Sequence, residues 1–270
     1  MPLNREDYAE PLCPLNMRPE SERLPLGRIL AKLDGLLAQK DYPAAERLLQ
    51  SWLSEAESGG DRAGRLTLLN EQIGLYRKTG QKQPCLDAIA AALPLVEELR
   101  FSDTVTGGTT FVNAATGYKA FGLAEEALPL YRRAEEAYAR RLDPADDRFA
   151  ALYNNMALTL TELRRYDEAE ALYQKALGVL ERQERPELEK AITYLNLADL
   201  AAARLGPEAA EPLVYDYLTR AEGLLDTETL PRDGYYAFVC EKCAPVFDYY
   251  GFFMAKLRLE QRAKEIYERT

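Results

Sequence analysis

The sequence predicts an all-α protein, a right-handed superhelix (α-solenoid) of about six stacked antiparallel helix pairs. Three observations predict it. Large core residues open helical segments at nearly constant intervals, apolar residues follow each of them at helical spacing, and a second helical pattern rich in alanine comes next. The opening residues lie 40, 42, 42, 41 and 45 residues apart, at Ile29, Leu69, Phe111, Tyr153, Tyr194 and Val239.

The first helix of each pair is predicted from its apolar face. In the fourth pair, Tyr153, Met156, Ala157 and Leu160 lie three or four residues apart, which places them on one side of a helix. Glycine supplies a left-handed conformation that ends a helix at low cost. The predicted turns after the first helices carry a glycine, replaced by arginine in the fourth pair: Gly80, Gly122, Arg164 and Gly206.

The second helix of each pair is predicted from a fixed order of small and large residues. A small residue is followed four positions later by a large one, and three positions further on alanine recurs, with tryptophan in the first pair. Small side chains at fixed places let two helices approach closely. The small residues are Ala45, Cys85, Ala127 and Ala169, the large ones Leu49, Ile89, Tyr131 and Tyr173, and the later ones Trp52, Ala92, Ala134 and Ala176.

The two ends of the chain differ from the repeats. Residues 1–24 hold four prolines and no apolar period, so we expect an extended arm, followed by a superhelical domain over 25–270. The sixth pair is rich in aromatic residues and holds Pro245, where we expect a kink. The final stretch is amphipathic and charged, as expected of a helix that caps a repeat array.

Two segments resemble the tetratricopeptide repeat family. RRYDEAEALYQKAL (164–177) and FGLAEEALPLYRRA (121–134) are similar to the second half of that repeat. The resemblance is strong over 61–182. Units of about 42 residues are longer than the family's usual 34 and resemble the variant found in kinesin light chain and in bacterial multi-repeat proteins. The resemblance implies a protein that binds a protein or peptide in a concave groove, without a cofactor.

Composition excludes several other classes of protein. The net charge is −10, with acidic and basic residues interleaved, so no basic footprint for nucleic acid is present. No run approaches the roughly 20 apolar residues that cross a bilayer, and the first residues do not resemble a secretion signal. We therefore expect a cytoplasmic protein. The chain has no histidine, no P-loop and no G-x-S-x-G motif, which leaves only a carboxylate-based enzyme as a catalytic alternative.

The four cysteines favour packing over metal binding. Cys240 and Cys243 form a C-x-x-C, but a structural zinc site usually needs a second pair, and Cys13 and Cys85 lie far apart. Cys85 and Cys243 occupy places that small core residues hold in other units, and buried cysteine behaves as a small hydrophobe. We expect no metal site.

Asparagines recur on the side of the first helices that faces away from the core. Asn113, Asn155 and Asn196 hold one equivalent place in three consecutive units, and Asn70 and Asn154 share the preceding place. A primary amide donates and accepts, so it can pair with both groups of a peptide bond. The resemblance implies that such asparagines hold a bound peptide's backbone in the groove. The alternative is a structural amide that bonds the adjacent repeat.

Charged residues on the same side grade along the chain. Arg77 and Lys119, with Lys78, make the early units basic, whereas Glu162 and Asp199 make the later ones neutral to acidic. We expect Arg77 and Lys119 to contact the bound segment. The alternative is a set of solvated charges without a partner.

The segment 103–122 starts a helix with threonines and two adjacent glycines. Glycine costs about 1 kcal/mol relative to alanine inside a helix. The glycines therefore indicate either a backbone left open for a ligand or a close neighbour, or an irregular first turn.

The sequence thus predicts a non-catalytic module that recognises an extended peptide or partner segment in its groove. Two alternatives are an assembly scaffold that uses the convex face or the aromatic sixth unit, and a ligand-sensing arm of a regulatory system.

Overall fold

The computed structural model describes residues 23–269, a part of the chain that contains helices and turns but no strand. The helices form six hairpins, each with a first and a second helix. Hairpins one to three comprise α1 (Leu26–Ala38), α2 (Tyr42–Gly59), α3 (Arg62–Lys78), α4 (Lys82–Glu98), α5 (Val105–Ala120) and α6 (Ala124–Ala139). Hairpins four to six comprise α7 (Asp147–Glu162), α8 (Tyr166–Leu180), α9 (Glu187–Leu205), α10 (Pro207–Leu225), α11 (Gly234–Tyr249) and α12 (Phe253–Tyr267).

The predicted all-α solenoid class is confirmed. The chain divides into two compact units, residues 1–143 and 144–270, and each unit contains three hairpins. Each of the six predicted opening residues lies in the first helix of its hairpin. The arm predicted for 1–24 lies outside the described residues except for its last two, and so does Cys13.

The turn inside every hairpin contains one residue with positive φ. Arg164 adopts φ +59° at the place predicted from its neighbours, where Gly122 adopts φ +75°. This left-handed residue ends the first helix and lets the second helix start one or two residues later. The six residues are Lys40, Gly80, Gly122, Arg164, Gly206 and Gly251.

The small and large residues that recur in the second helices are among the residues that form the core. Ala127 and Ala169 are fully buried, and so are the tyrosines four residues after them, Tyr131 and Tyr173. Because alanine keeps the helix backbones close, the larger residue of the next turn fills the space between them.

The glycines at the start of α5 serve a close approach between helices. A Cβ atom on Gly108 would lie 2.6 Å from the Tyr138 ring, and one on Gly107 would lie 1.9 Å from the carbonyl oxygen of Phe101. The Thr104 side chain caps the helix by accepting from the backbone N–H of Gly107. The helix therefore starts regularly. The prediction that these glycines allow a neighbouring group to pack closely against the helix is confirmed.

Cys85 in α4 and Cys243 in α11 are buried, as predicted, and Cys240, also in α11, is buried as well. Desolvation by burial raises the pKa of Cys85 and Cys240 to about 11 and that of Cys243 to about 12. Such thiols stay protonated at neutral pH and are poor nucleophiles. No helix among the described residues has both the length and the apolar character needed to cross a membrane.

Candidate binding face

We use the name first-helix face for the side of a first helix that points away from the core of its own unit. In the first unit it carries Arg77, Asn113 and Lys119, and in the second unit Asn155, Asn196 and Asp199. All six are half-buried or exposed.

In the first unit, two asparagines and a threonine join hairpins two and three. The Asn70 side chain, only 3% exposed, donates to the carbonyl oxygen of Leu66 at 3.0 Å and to the Thr110 hydroxyl at 3.0 Å. Its own side-chain oxygen accepts from the amide of Asn113 at 2.9 Å. The Asn70 amide is thus fully bonded inside the protein.

The second unit repeats this arrangement between hairpins four and five. The Asn154 amide donates to the carbonyl oxygen of Ala150 at 3.1 Å and to the Thr193 hydroxyl at 3.0 Å. Its oxygen accepts from Asn196 at 3.2 Å. We call each such set an amide bridge: Asn70, Thr110 and Asn113 in the first unit, and Asn154, Thr193 and Asn196 in the second.

Asn155 differs from its neighbour Asn154. Its side chain is half-buried, and its amide has no hydrogen-bond partner among the described residues. It lies one residue beyond the amide bridge, on a helix that the bridge holds against α9. The amide of Asn155 can therefore donate to and accept from a bound molecule without giving up an internal bond.

The basic residues predicted for the early units differ in exposure. Arg77 is exposed, near the end of α3, and forms no ion pair within the described residues. Lys78 is also exposed, and its ammonium lies 5.6 Å from the centre of the Tyr42 ring. Lys119 is half-buried and has a partner inside the protein. Of Arg77 and Lys119, the two residues predicted to contact the bound segment, Arg77 is therefore the more accessible.

Of the two acidic residues predicted for the later units, Glu162 and Asp199, Asp199 is bonded to hairpin six. Its Oδ1 accepts from the Tyr250 hydroxyl at 2.8 Å. Desolvation by burial raises the pKa of this carboxyl, an effect that the bond from Tyr250 only partly offsets. Asp199 has no cationic partner within the part of the chain that the structure describes.

Hairpin six exposes apolar side chains. Tyr249 is 81% exposed, Met254 67% and Phe253 59%. Pro245 lies inside α11, also exposed. Six of the nine large apolar residues that are exposed in the described part belong to this hairpin: Phe238, Tyr249, Phe253, Met254, Leu257 and Tyr267.

Comparison with known proteins supports the repeat assignment. Residues 148–222, from α7 into α10, match the family model for the tetratricopeptide repeat. This segment carries tetratricopeptide repeats. No match was found among curated proteins.

Two solved structures show a similar fold over most of the chain. The chain is similar to the crystal structure of BtubC (BKLC) from P. vanneervenii, with 21% identity over 92% of both chains and a TM-score of 0.50. It is also similar to the nearly identical TPR-like repeats of a candidate kinesin light chain from Podosopora anserina. That likeness has 16% identity over 76% of this chain and 96% of that chain, with a TM-score of 0.52.

The sequence predicted the recurring asparagines of the first helices but not the threonines that bond them. Four of the five asparagines form bonds to an adjacent repeat, as the structural alternative predicted; their contact with a peptide stays a prediction. A signal for the bridges was present in the sequence. The pattern Thr-x-x-Asn occurs as TFVN at 110–113 and as TYLN at 193–196, and Asn70 and Asn154 lie about 40 residues before it.

Proposed function

We propose that this protein is a non-catalytic binding module that holds an extended segment of a protein partner along its first-helix face. Tetratricopeptide repeats generally mediate protein–protein interaction and are typically non-catalytic. The observation that carries the proposal is the amide of Asn155, half-exposed and without an internal partner on a helix fixed by the amide bridge. The acidic net charge disfavours nucleic acid as a partner, and a cytoplasmic location belongs to the same proposal.

The asparagines take two roles in this proposal. Asn70 and Asn154 hold the adjacent first helices together, which fixes the positions of Asn113 and Asn196. Asn155, Asn113 and Asn196 then present amide groups to the backbone of the bound segment, and Arg77 and Lys119 contact its side chains in the first unit. Each amide pair to a peptide contributes about 1 kcal/mol net, and more where water is excluded.

Peptide display tests the proposal. The full chain is panned against a library of unstructured peptides, and the affinity of the enriched peptides is measured by calorimetry. We expect Asn155→Ala to weaken binding about fivefold to tenfold with an unchanged melting temperature. Gln261→Ala, which removes an exposed amide from α12, is the matched control. Equal affinities for wild type and Asn155→Ala would contradict the role of this face.

A second function is favoured by the exposed side chains of hairpin six. Large contiguous apolar surface on a soluble protein marks a contact site for another macromolecule. In this candidate function the protein is an assembly scaffold, and α11 and α12 contact the assembly. The double change Phe253→Ser and Leu257→Ser would then abolish capture of a partner that Asn155→Ala still captures, whereas the peptide-binding function gives the reverse result.

A further inference from the structure

Hairpin six exposes large apolar side chains around its turn. Tyr249, the last residue of α11, is 81% exposed, and Phe253 and Met254, the first residues of α12, are 59% and 67% exposed. Leu257, also exposed, follows Phe253 by one helical turn on the same side of α12. These four side chains thus lie within nine residues of the chain, on the two sides of one turn.

One residue of hairpin five extends this surface. Tyr215 of α10, 63% exposed, contacts Phe252 with 5.7 Å between the ring centres. We call the surface formed by Tyr215, Tyr249, Phe253, Met254 and Leu257 the hairpin-six patch. Its three aromatic side chains alone expose about 400 Å², since each has about 150–250 Å² of surface. An apolar patch of this size on a soluble protein marks a contact with another macromolecule.

The large side chains of α12 stand at places where other hairpins carry polar residues, alanine or proline. The places are counted from the buried small residue of each second helix, which is Ala255 in α12 and Ala210 in α10. The residues equivalent to Phe253, Met254 and Leu257 are Glu208, Ala209 and Pro212 in hairpin five, Asp167, Glu168 and Ala171 in hairpin four, and Glu125, Glu126 and Pro129 in hairpin three. The patch is therefore a feature of hairpin six and no part of the repeat pattern.

The charges beside the patch are neutralised inside the chain. Every charged residue of α12 forms an ion pair with another described residue. The pairs are Lys256–Glu260, Arg258–Glu222, Arg262–Asp226, Lys264–Glu268 and Glu265–Arg269. A charged partner would have to compete with these pairs, so the surface is complementary to a neutral, apolar one.

A second copy of the patch is such a surface. All nine large apolar side chains that are exposed in the described part of the chain lie between Leu205 and Tyr267, so the described surface of the first unit offers no apolar counterpart. A standard interface covers about 800 Å² per partner, and homodimer interfaces are about 65% apolar, which gives about 500 Å² of apolar surface per copy. The aromatic residues of the patch, with Met254 and Leu257, supply an area of this order.

We propose that the hairpin-six patch binds the same patch of a second copy of this chain. The contact is isologous, with a two-fold axis that brings the same residues of both copies together, as in most homodimers. Aromatic residues and methionine, which interfaces favour, form its centre. The dimer goes beyond the proposed function, because it uses none of the asparagine amides. A foreign partner on the patch, as in the second candidate function, is an outcome of the test.

Analytical ultracentrifugation of the full chain tests the dimer. At concentrations up to about 1 mM we expect a species of twice the 30.5 kDa of one chain, because interfaces of standard area bind with micromolar affinity or better. The double change Phe253→Ser and Leu257→Ser should raise the dissociation constant at least about hundredfold. The matched control is Tyr267→Ser, which removes an exposed aromatic side chain about 15 Å further along α12 and should leave the dissociation constant unchanged.

Mixing distinguishes an isologous contact from a head-to-tail one. Fluorescently labelled wild type is mixed with the unlabelled double variant. An isologous contact needs an intact patch on both copies, so we expect no mixed dimer. In a head-to-tail contact the variant would still accept the patch of the wild type on another surface. Mixed dimers, or species larger than a dimer, would therefore contradict the proposal.

Two further results complete the test. The double variant should keep the helical circular dichroism of the wild type, because both changed side chains are exposed, and only the wild type should show a melting temperature that rises with protein concentration. A wild type that stays monomeric at all these concentrations would overturn the dimer and leave the patch to a foreign partner. The binding of displayed peptides by Asn155 is measured separately, so either proposal can fail while the other stands.

Discussion

At the scale of single residues, two adjacent asparagines on α7 have different tasks. The Asn154 side chain makes three hydrogen bonds, two as donor and one as acceptor. The bonds to Thr193 and from Asn196 connect α7 with α9, and the bond to Ala150 stays within α7. The Asn155 side chain makes no hydrogen bond to any residue that the structure describes, and it is half-exposed. The same residue type at consecutive positions therefore serves the fold at one place and is available for binding at the next.

This difference predicts opposite stability effects for one substitution. Asn154→Ala removes the acceptor of the Asn196 amide and the donor to the Thr193 hydroxyl, which keeps only its own bond to the Glu189 carbonyl oxygen. We expect a loss of about 2 kcal/mol in the free energy of unfolding. Asn155→Ala should change it by less than about 0.5 kcal/mol, since alanine is the better helix former and no bond is lost. Thermal and urea denaturation of both variants check this. A similar loss in the two variants would contradict the assignment of roles.

Glycines in helices provide a second test at this scale. Alanine at position 108 would place Cβ 2.6 Å from the Tyr138 ring and 3.3 Å from the Cβ of Ala137. We expect Gly108→Ala to cost about 1–3 kcal/mol through overpacking, although alanine is intrinsically favoured in a helix.

The control for this change is Gly178→Ala in α8, where no atom lies within 4 Å of the added Cβ. That variant should gain about 0.5–1 kcal/mol. Midpoints of urea denaturation for both variants decide the matter. Stabilisation by Gly108→Ala would contradict the close approach of α5 to α6.

At the scale of helices and turns, the left-handed residue inside each hairpin is the most regular feature. Arginine tolerates positive φ poorly, yet Arg164 adopts it because the following helix must reverse direction at that point. Its side chain is exposed and has no partner among the described residues. The conformational cost at this turn is thus uncompensated by local contacts.

Exchange of residue types at two turns should therefore change stability in opposite directions. Arg164→Gly should stabilise the protein by up to about 1 kcal/mol, whereas Gly122→Ala, at φ +75° with open space around it, should destabilise it by about 1 kcal/mol. Differential scanning calorimetry of the two variants measures both changes. Stabilisation by Gly122→Ala would mean that this turn does not require positive φ.

Periodicity could predict the helices and turns but only part of the candidate face. Spacing placed the six hairpins, the turn at Arg164 and the buried places of Cys85 and Cys243, because each depends on residues close in sequence. The partner of an asparagine amide depends on which residue of the next repeat faces it, about 40 positions away. A helical wheel shows towards which side of α7 the Asn154 side chain points. It does not show that Thr193 of the next repeat is the residue it contacts there. The exposure of Phe253 and Met254 likewise depends on packing between helices.

At the scale of the whole molecule, each compact unit contains one amide bridge between two of its three hairpins. The stability of a repeat protein depends on contacts between neighbouring repeats. The bridges stabilise such contacts and hold the first-helix faces in a fixed geometry. A fixed face reduces the entropy lost when a partner segment binds, which favours affinity for the backbone of an extended chain.

The measurement that tests backbone recognition most directly is a double-mutant cycle between Asn155 and the peptide bond it contacts. A displayed peptide is synthesised as a series, each member methylated at one backbone nitrogen, and its affinity for wild type and Asn155→Ala is measured by calorimetry. At one position, methylation should weaken binding to wild type about fivefold and binding to Asn155→Ala hardly at all, a coupling of about 1 kcal/mol. Losses that add independently at every position would show that Asn155 does not hold the peptide backbone.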